Sequence, residues 1–159
     1  MRSILFAAVI GLGATAASAG TVQGRVDITI GGDPVGCNAA KLVPRTPATE
    51  QAILAQFGSL ESSALKVPVE VVTARMAEGP EPGSRETRCY DWRGYGNLVG
   101  FRFGNVAPGD YFVTLLSRGG REAYSDDLVR GARKEAIYLM QPVRVTKKGA
   151  SVRFAYVHK

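Results

Sequence analysis

Short segments with alternating apolar and polar residues, separated by turns rich in Gly and Pro, run through most of this sequence. The segment TVQGRVDITI, residues 21–30, is an example. Its apolar residues that can share one face are Val22, Val26, Ile28 and Ile30. A period of two is typical of a strand that buries one side, because successive side chains point to opposite faces of a sheet. The pattern predicts a chain built mainly of half-buried strands.

The segment FRFGNVAPGDYFVTLL, residues 101–116, repeats the alternation on both sides of a turn. Phe101 and Phe103 are separated by one residue, so both rings can point to the same face. Pro108 presets the φ angle of a turn, and we expect Gly109 to supply the positive φ of the next position. The segment is therefore predicted to be the hinge between two core strands.

One helix and about eight strands are predicted from such patterns. The helix is placed over residues 48–57, because Thr46 is a favoured N-cap and Pro47 suits the first helical position. Gly58 is a favoured residue at the end of a helix. The strands are placed at residues 21–30, 36–43, 65–74, 86–92, 98–103, 111–116, 136–145 and 151–157.

These elements predict an all-β fold, a β-sandwich of about seven to eight strands with one short inserted helix. The chain has 159 residues, which suits a single domain. We assign that domain to residues 20–159, because the residues before it have a different character.

Residues 1–19 contain the three parts of a secretory signal peptide in the expected order. Arg2 provides a positive start, residues 4–12 a short apolar core, and residues 17–19, Ala-Ser-Ala, a cleavage site. The apolar core is too short for a membrane-spanning helix of about 20 residues, and no later stretch is apolar enough to span a bilayer. We therefore expect a periplasmic or secreted mature protein that begins near Gly20.

The sequence contains two cysteines, Cys37 and Cys89. An even number of cysteines in an exported protein favours a disulfide. They are far apart and form no C-x-x-C motif, so a thioredoxin-like redox role is not supported. We predict a structural bond between them, with two unpaired buried thiols as the alternative.

The formal net charge is +6, and the basic excess is concentrated near the C-terminus. From position 130 onward the basic residues are Arg130, Arg133, Lys134, Arg144, Lys147, Lys148, Arg153 and Lys159. Such a tail can face lipopolysaccharide or another acidic surface, so a polyanion-binding protein is one hypothesis. Solvated charges on a sheet face are the simpler interpretation, and we expect no nucleic-acid partner.

Residues 97–111, NLVGFRFGNVAPGDY, resemble the signature of carboxypeptidase-regulatory-like domains, whose usual form is G-x-F-x-F-x-x-(V/L)-x-P-G-x-Y. Residues 24–30, 32–36 and 42–44 resemble the first strand, small hairpin and second strand of these domains. The resemblance implies a transthyretin-like (prealbumin-like) β-sandwich of the bacterial, exported, stand-alone type. It also implies a folding, docking or interaction module. The Pro-Gly-x-Tyr corner itself carries no activity.

Residues that could support catalysis are scarce. The only histidine is His158, which excludes His-based catalytic triads and His/Cys metal sites. No G-x-S-x-G motif is present, and the glycines at 94, 96 and 100 miss the dinucleotide-binding spacing. Asp126 and Asp127 could bind calcium weakly, but solvated loop acids are the simpler interpretation. We predict a protein that is not an enzyme, with no catalytic residues, metal or cofactor.

The strongest candidate for binding is the segment YDWRGY, residues 90–95. The candidate residues are Tyr90, Trp92, Arg93 and Tyr95. Aromatic side chains and Arg are the types that anchor interfaces and stack on ligands. The alternative is that Tyr90 or Trp92 belongs to the core.

The function predicted from these residues is a binding or structural module that interacts with another component of the cell envelope, a protein or a glycan. A carbohydrate- or peptidoglycan-binding module that uses the aromatic segment is the more specific alternative. The two hypotheses differ in whether that segment is exposed.

Overall fold

A computed structural model describes residues 19–30, 33–68, 83–90, 100–117 and 135–158. The predicted signal peptide, apart from Ala19, lies outside these residues. In chain order the elements are β1 (Gly20–Ile30), β2 (Asp33–Val35), β3 (Cys37–Pro44), α1 (Pro47–Phe57), β4 (Ser63–Pro68), β5 (Arg85–Arg88), β6 (Gly100–Val106), β7 (Gly109–Ser117), β8 (Glu135–Val145) and β9 (Ala150–His158).

Two packed sheets with one short helix confirm the predicted all-β sandwich. In sheet A, β1 pairs in parallel with β9 along one edge and antiparallel with β6 and the three-residue β2 along the other. Sheet B is antiparallel, in the order β4-β8-β7-β3-β5. Strand β2 lies where the sequence indicated only a turn. Of the strand predicted at 65–74, the part after Pro68 lies outside the described residues.

The main core lies between the sheets and is formed by the alternating residues that the sequence indicated. Phe101 and Phe103 are both buried, and so are Val22, Val26 and Ile28 of the neighbouring strand β1. These side chains meet Val113 and Leu115 of sheet B. Burial of one face of each sheet is the main stabilising contribution of such a sandwich.

Strand β7 is buried on both faces, because helix α1 covers the side of sheet B that faces away from sheet A. Phe112 of β7 packs there with Ile53 and Phe57 of the helix and with Met140 of β8. This second core explains why residues 111–116 are apolar at almost every position rather than at alternate ones.

The predicted helix signals are confirmed in detail. Thr46 is the N-cap, with its hydroxyl accepting from the Thr49 amide at 3.2 Å, and Pro47 is the first helical residue. The Thr46 amide donates back to the Thr49 hydroxyl at 2.8 Å. Gly58 ends the helix in the left-handed conformation, with φ 69°. These caps satisfy backbone groups that the ends of a helix leave unpaired.

The turn between β6 and β7 differs from the prediction at one residue. Gly109 is the first residue of β7 and pairs with Val145, so the expectation of a positive φ at Gly109 is wrong. The left-handed residue is Asn105, with φ 54°, a residue type that tolerates this region. Tyr111 closes the corner by donating its hydroxyl to the Ala107 carbonyl at 3.0 Å.

Gly24 is needed for core packing, because the ring of Phe101 occupies the place where a Gly24 side chain would begin. Phe101 is fully buried, so its ring can move aside only by displacing other core side chains. We expect Gly24→Ala to lower the free energy of unfolding by about 1–3 kcal/mol, the usual cost of overpacking a core. Urea denaturation measures this difference.

Gly104→Ala is the matched control, since Gly104 lies on the exposed side of the adjacent strand with no atom within 4 Å of the added methyl position. Its effect should stay within about 0.5 kcal/mol. Equal effects of the two substitutions would contradict the packing argument.

Candidate functional site

The predicted disulfide is present and lies at the junction of the two sheets. Cys37, the first residue of β3, is bonded to Cys89, which directly follows β5, with a Cα–Cα distance of 5.8 Å. Both residues are buried. The bond indicates an oxidising, non-cytoplasmic compartment. It also fixes the position of the next residue, Tyr90.

Tyr90 joins the end of β5 to the start of β6. Its amide donates to the Gly100 carbonyl at 2.8 Å, and the Gly100 amide donates back to the Tyr90 carbonyl at 3.1 Å. Because successive side chains in an extended chain point to opposite sides, buried Cys89 is followed by an outward-facing Tyr90, which is 39% exposed.

The ring of Tyr90 lies on the outer face of sheet A. Gly100 faces outward, because its neighbour Phe101 faces the core. Two ring atoms of Tyr90, Cε2 and Cζ, lie 3.2 and 3.3 Å from the place where a Gly100 side chain would begin. The absent side chain therefore leaves the space in which the ring rests on the sheet.

Tyr90 and two arginines lie in one row across the strands of sheet A. Gly100 is paired with Arg25 of β1, and Arg25 is paired with Arg153 of β9. Directly paired residues lie on the same face of a sheet, so Tyr90, Arg25 and Arg153 share the outer face. Three strand spacings of about 4.8 Å give this row a length of about 14 Å.

A single carboxylate holds both arginines. Asp27, two residues along β1 on the same face, accepts from Arg25 Nε at 3.0 Å and from Arg153 Nε at 2.9 Å. Partial burial raises the pKa of Asp27, but the hydrogen bonds and charges of the two arginines outweigh that effect and hold the pKa below its usual value. Asp27 is therefore ionised at neutral pH and orients both guanidinium groups.

Two more polar side chains lie in the adjacent row of the same face. Gln23 of β1 is paired with Arg102 of β6, and both are exposed. Arg102 makes no hydrogen bond or ion pair within the ranges that the structure describes. We call Tyr90, Arg25, Asp27, Arg102 and Arg153 the outer-face cluster.

Only one of the four binding residues predicted from the sequence can be placed. Tyr90 is exposed, so the alternative that it belongs to the core is wrong. Trp92, Arg93 and Tyr95 lie outside the described residues. The backbone pair of Tyr90 and Gly100 shows, however, that the segment between them starts and ends at the outer-face cluster.

The charged members of the cluster were missed by sequence reasoning. Arg25 and Asp27 alternate with core residues along β1, which marks them as outward-facing, but nothing local indicates that Arg153 meets them 126 residues later in the chain. Strand register brings them together. The only available signal was a charged pair on the polar side of the first strand.

The basic residues near the C-terminus do not form one continuous surface in the part of the chain that is described. Arg153 belongs to the outer-face cluster, whereas Arg144 lies on sheet B, 3.2 Å from the Asp110 carboxylate. Lys147 and Lys148 form the turn between β8 and β9. The remaining basic residues, Arg130, Arg133, Lys134 and Lys159, lie outside the described ranges.

The described ranges offer neither a metal site nor a membrane-spanning helix. No group of three or more His, Cys, Asp or Glu residues there could hold a metal ion. No helix in the same ranges has the length and apolar character needed to cross a membrane.

Comparison with solved structures finds a likeness in fold. The crystal structure of a "putative carbohydrate binding protein" from Pseudomonas aeruginosa superposes with a TM-score of 0.51 and 17% sequence identity. The match covers 87% of this chain and 89% of the other. At this identity the likeness shows a shared fold alone. No family model matches the chain, and no curated protein matches it either. The transthyretin-like assignment therefore stays a prediction.

The disulfide should contribute strongly to stability, because it closes a loop with a sequence separation of 52 residues. We expect the Cys37→Ala/Cys89→Ala protein to lose about 4 kcal/mol of unfolding free energy relative to the oxidised protein. Urea denaturation with and without reductant measures the difference. The reductant should not affect the double variant, and an unchanged midpoint for the reduced native protein would contradict the prediction.

Asp27→Asn should destabilise the protein by about 0.5–1 kcal/mol at neutral pH, as expected for a partly exposed ion pair. The folded-state pKa of Asp27 is lowered, so its contribution is complete above the ordinary value of 3.8 and is lost as pH falls through the folded pKa. Urea denaturation across this range should show the variant converging with the native protein at acidic pH. A difference that persists when Asp27 is fully protonated would show that charge is not the cause.

Proposed function

We propose that this protein is an exported, non-catalytic glycan-binding module whose ligand lies across the outer face of sheet A and stacks on Tyr90. The observation that carries the proposal is the placement of the exposed Tyr90 ring against Gly100, in one row with Arg25 and Arg153. This row combines an aromatic surface with fixed polar groups on a rigid sheet.

The chemistry of the row suits a sugar. A pyranose ring has an apolar C–H side that packs on the face of an aromatic ring, and hydroxyl groups at its edge that donate and accept hydrogen bonds. Arg25 and Arg153 supply donors, and Asp27 supplies acceptors. A row of about 14 Å is longer than one sugar ring, so the proposed ligand is an oligosaccharide or a polysaccharide chain.

The segment that follows Tyr90 is proposed to extend the same surface. Trp92, Arg93 and Tyr95 lie between two residues that are hydrogen-bonded to each other at the cluster. This proposal keeps the predicted aromatic residues in the site and adds the sheet residues to them.

Export and the absence of catalysis are part of the proposal. The disulfide supports an oxidising compartment, and we propose cleavage after Ala19, which would leave Gly20, the first residue of β1, at the new N-terminus. The resemblance to carboxypeptidase-regulatory-like domains supports an interaction module. The P. aeruginosa "putative carbohydrate binding protein" of similar fold supports a glycan over a protein partner.

Tyr90→Leu tests the proposal, because leucine still covers Gly100 but lacks an aromatic face. We expect it to bind polysaccharide about tenfold more weakly, as for a central binding residue, whereas Tyr90→Phe should bind nearly normally. Peptidoglycan sacculi, polygalacturonate and dextran are the probes. Retardation in native gels that contain the polymer reports binding of the soluble polymers, and co-sedimentation reports binding of sacculi.

Leu54→Ala is the control, since Leu54 is an exposed apolar residue, 44% accessible, on helix α1 at the opposite side of the molecule. It should leave binding unchanged. Failure of the native protein to bind any of the three polymers, or equal binding by Tyr90→Leu, would overturn the proposed function.

A further inference from the structure

The outer-face cluster also indicates the class of glycan. We infer that the ligand is an acidic polysaccharide carrying carboxylate groups, a polyuronate, with its carboxylates held by Arg25 and Arg153 and its sugar rings by Tyr90. This inference rests on the proposed function and narrows it from glycans in general to one chemical class.

The charge of this face is the first argument. The charged side chains described on the outer face of sheet A are Arg25, Arg102 and Arg153, against Asp27 alone. The other exposed residues on the same face, such as Gln23 and Ser151, are uncharged. Positive charge is therefore in excess at the place where the aromatic ring lies. A neutral sugar gains nothing from such an excess, whereas a uronate is attracted by it.

The state of the guanidinium groups is the second argument. Arg25 and Arg153 each donate to Asp27 through Nε, and their terminal nitrogens make no hydrogen bond within the described ranges. A guanidinium group has five N–H donors, so each keeps four for a ligand. Two parallel bonds to a carboxylate are the strongest use of these donors. Asp27 acts as a positioning residue, because it orders both arginines before a ligand arrives.

The acceptors on either side of the row favour a sugar over other polyanions. Asp27 and Gln23 can accept hydrogen bonds, and the hydroxyl groups of a polyuronate donate them. The chain of a polyphosphate carries acceptors only, so it cannot donate to Asp27 or Gln23. These acceptors beside the row therefore separate an acidic glycan from a polymer that offers charge without hydroxyl groups.

The test compares polygalacturonate with polymers that lack either its charge or its uronate chain. Polygalacturonate carries carboxylates on a sugar chain, and its methyl ester keeps the chain but loses the charge. Polyphosphate and single-stranded DNA carry charge without a uronate. We expect polygalacturonate to bind at least tenfold more tightly than the methyl ester, polyphosphate or DNA, measured by retardation in native gels and by equilibrium dialysis at one fixed salt concentration.

Variants of single arginines and of an arginine pair test which residues bind the carboxylates of the polymer. Arg25→Gln/Arg153→Gln should weaken polygalacturonate binding by more than tenfold and binding of the methyl ester much less, so that the preference for the charged polymer over its ester is lost. Arg102→Gln breaks no bond in the described ranges and should weaken binding severalfold, which provides a second test if the double variant folds poorly. Arg144→Gln is the matched control for Arg102→Gln, because it removes one positive charge on sheet B, where Arg144 pairs with Asp110. It should change binding less than twofold.

The outcomes separate the two proposals. Equal binding of polygalacturonate and its methyl ester, with no effect of the arginine variants, would overturn the acidic class and leave the glycan function standing. Binding of polyphosphate or DNA as tight as that of polygalacturonate would show that the surface recognises charge alone. A loss of binding with Arg144→Gln as large as the loss with Arg102→Gln would show the same. Either result would overturn the acidic-glycan inference. Binding of no polysaccharide at all would overturn the proposed function itself.

Discussion

The bond between Cys37 and Cys89 determines where the edge of sheet B meets sheet A. It holds Cys89, the residue that follows β5, in the buried layer, so the next residue, Tyr90, faces outward and pairs with Gly100 at the start of β6. The aromatic part of the outer-face cluster depends on this junction. A disulfide next to this candidate residue limits its motion, which would lower the entropic cost of the proposed binding.

Two glycines on adjacent strands allow aromatic rings to lie directly on sheet A. Gly24 faces the core and is covered by Phe101, and Gly100 faces outward and is covered by Tyr90. The residues paired with them are Phe101 and Arg25, respectively. The same device, a ring resting on backbone that has no side chain, thus contributes to core packing on one face and to the candidate site on the other.

Elements whose signals are local could be predicted closely. Thr46, Pro47 and Gly58 predicted the helix to within one residue, and the alternation of Phe101 and Phe103 predicted the core face of β6. The turn before β7 was less predictable, because Gly109 and Asn105 are both residues that tolerate a positive φ. Asn105 lies in β6 where the pairing with β1 shifts register, between the pairs Gly20–Val106 and Val22–Phe103, a tertiary feature with no local signal.

The sequence was sufficient to establish a β-sandwich, its inserted helix and the pairing of its two cysteines, because strand alternation, helix caps and cysteine number are all properties of the chain read locally. It also identified Tyr90 as a candidate. The sequence did not reveal that Tyr90 would meet Arg25, Asp27 and Arg153, because that meeting requires the registers of β1 with β6 and of β1 with β9. Register is set by the packing of whole sheets, and it brings distant residues of a sequence onto one surface.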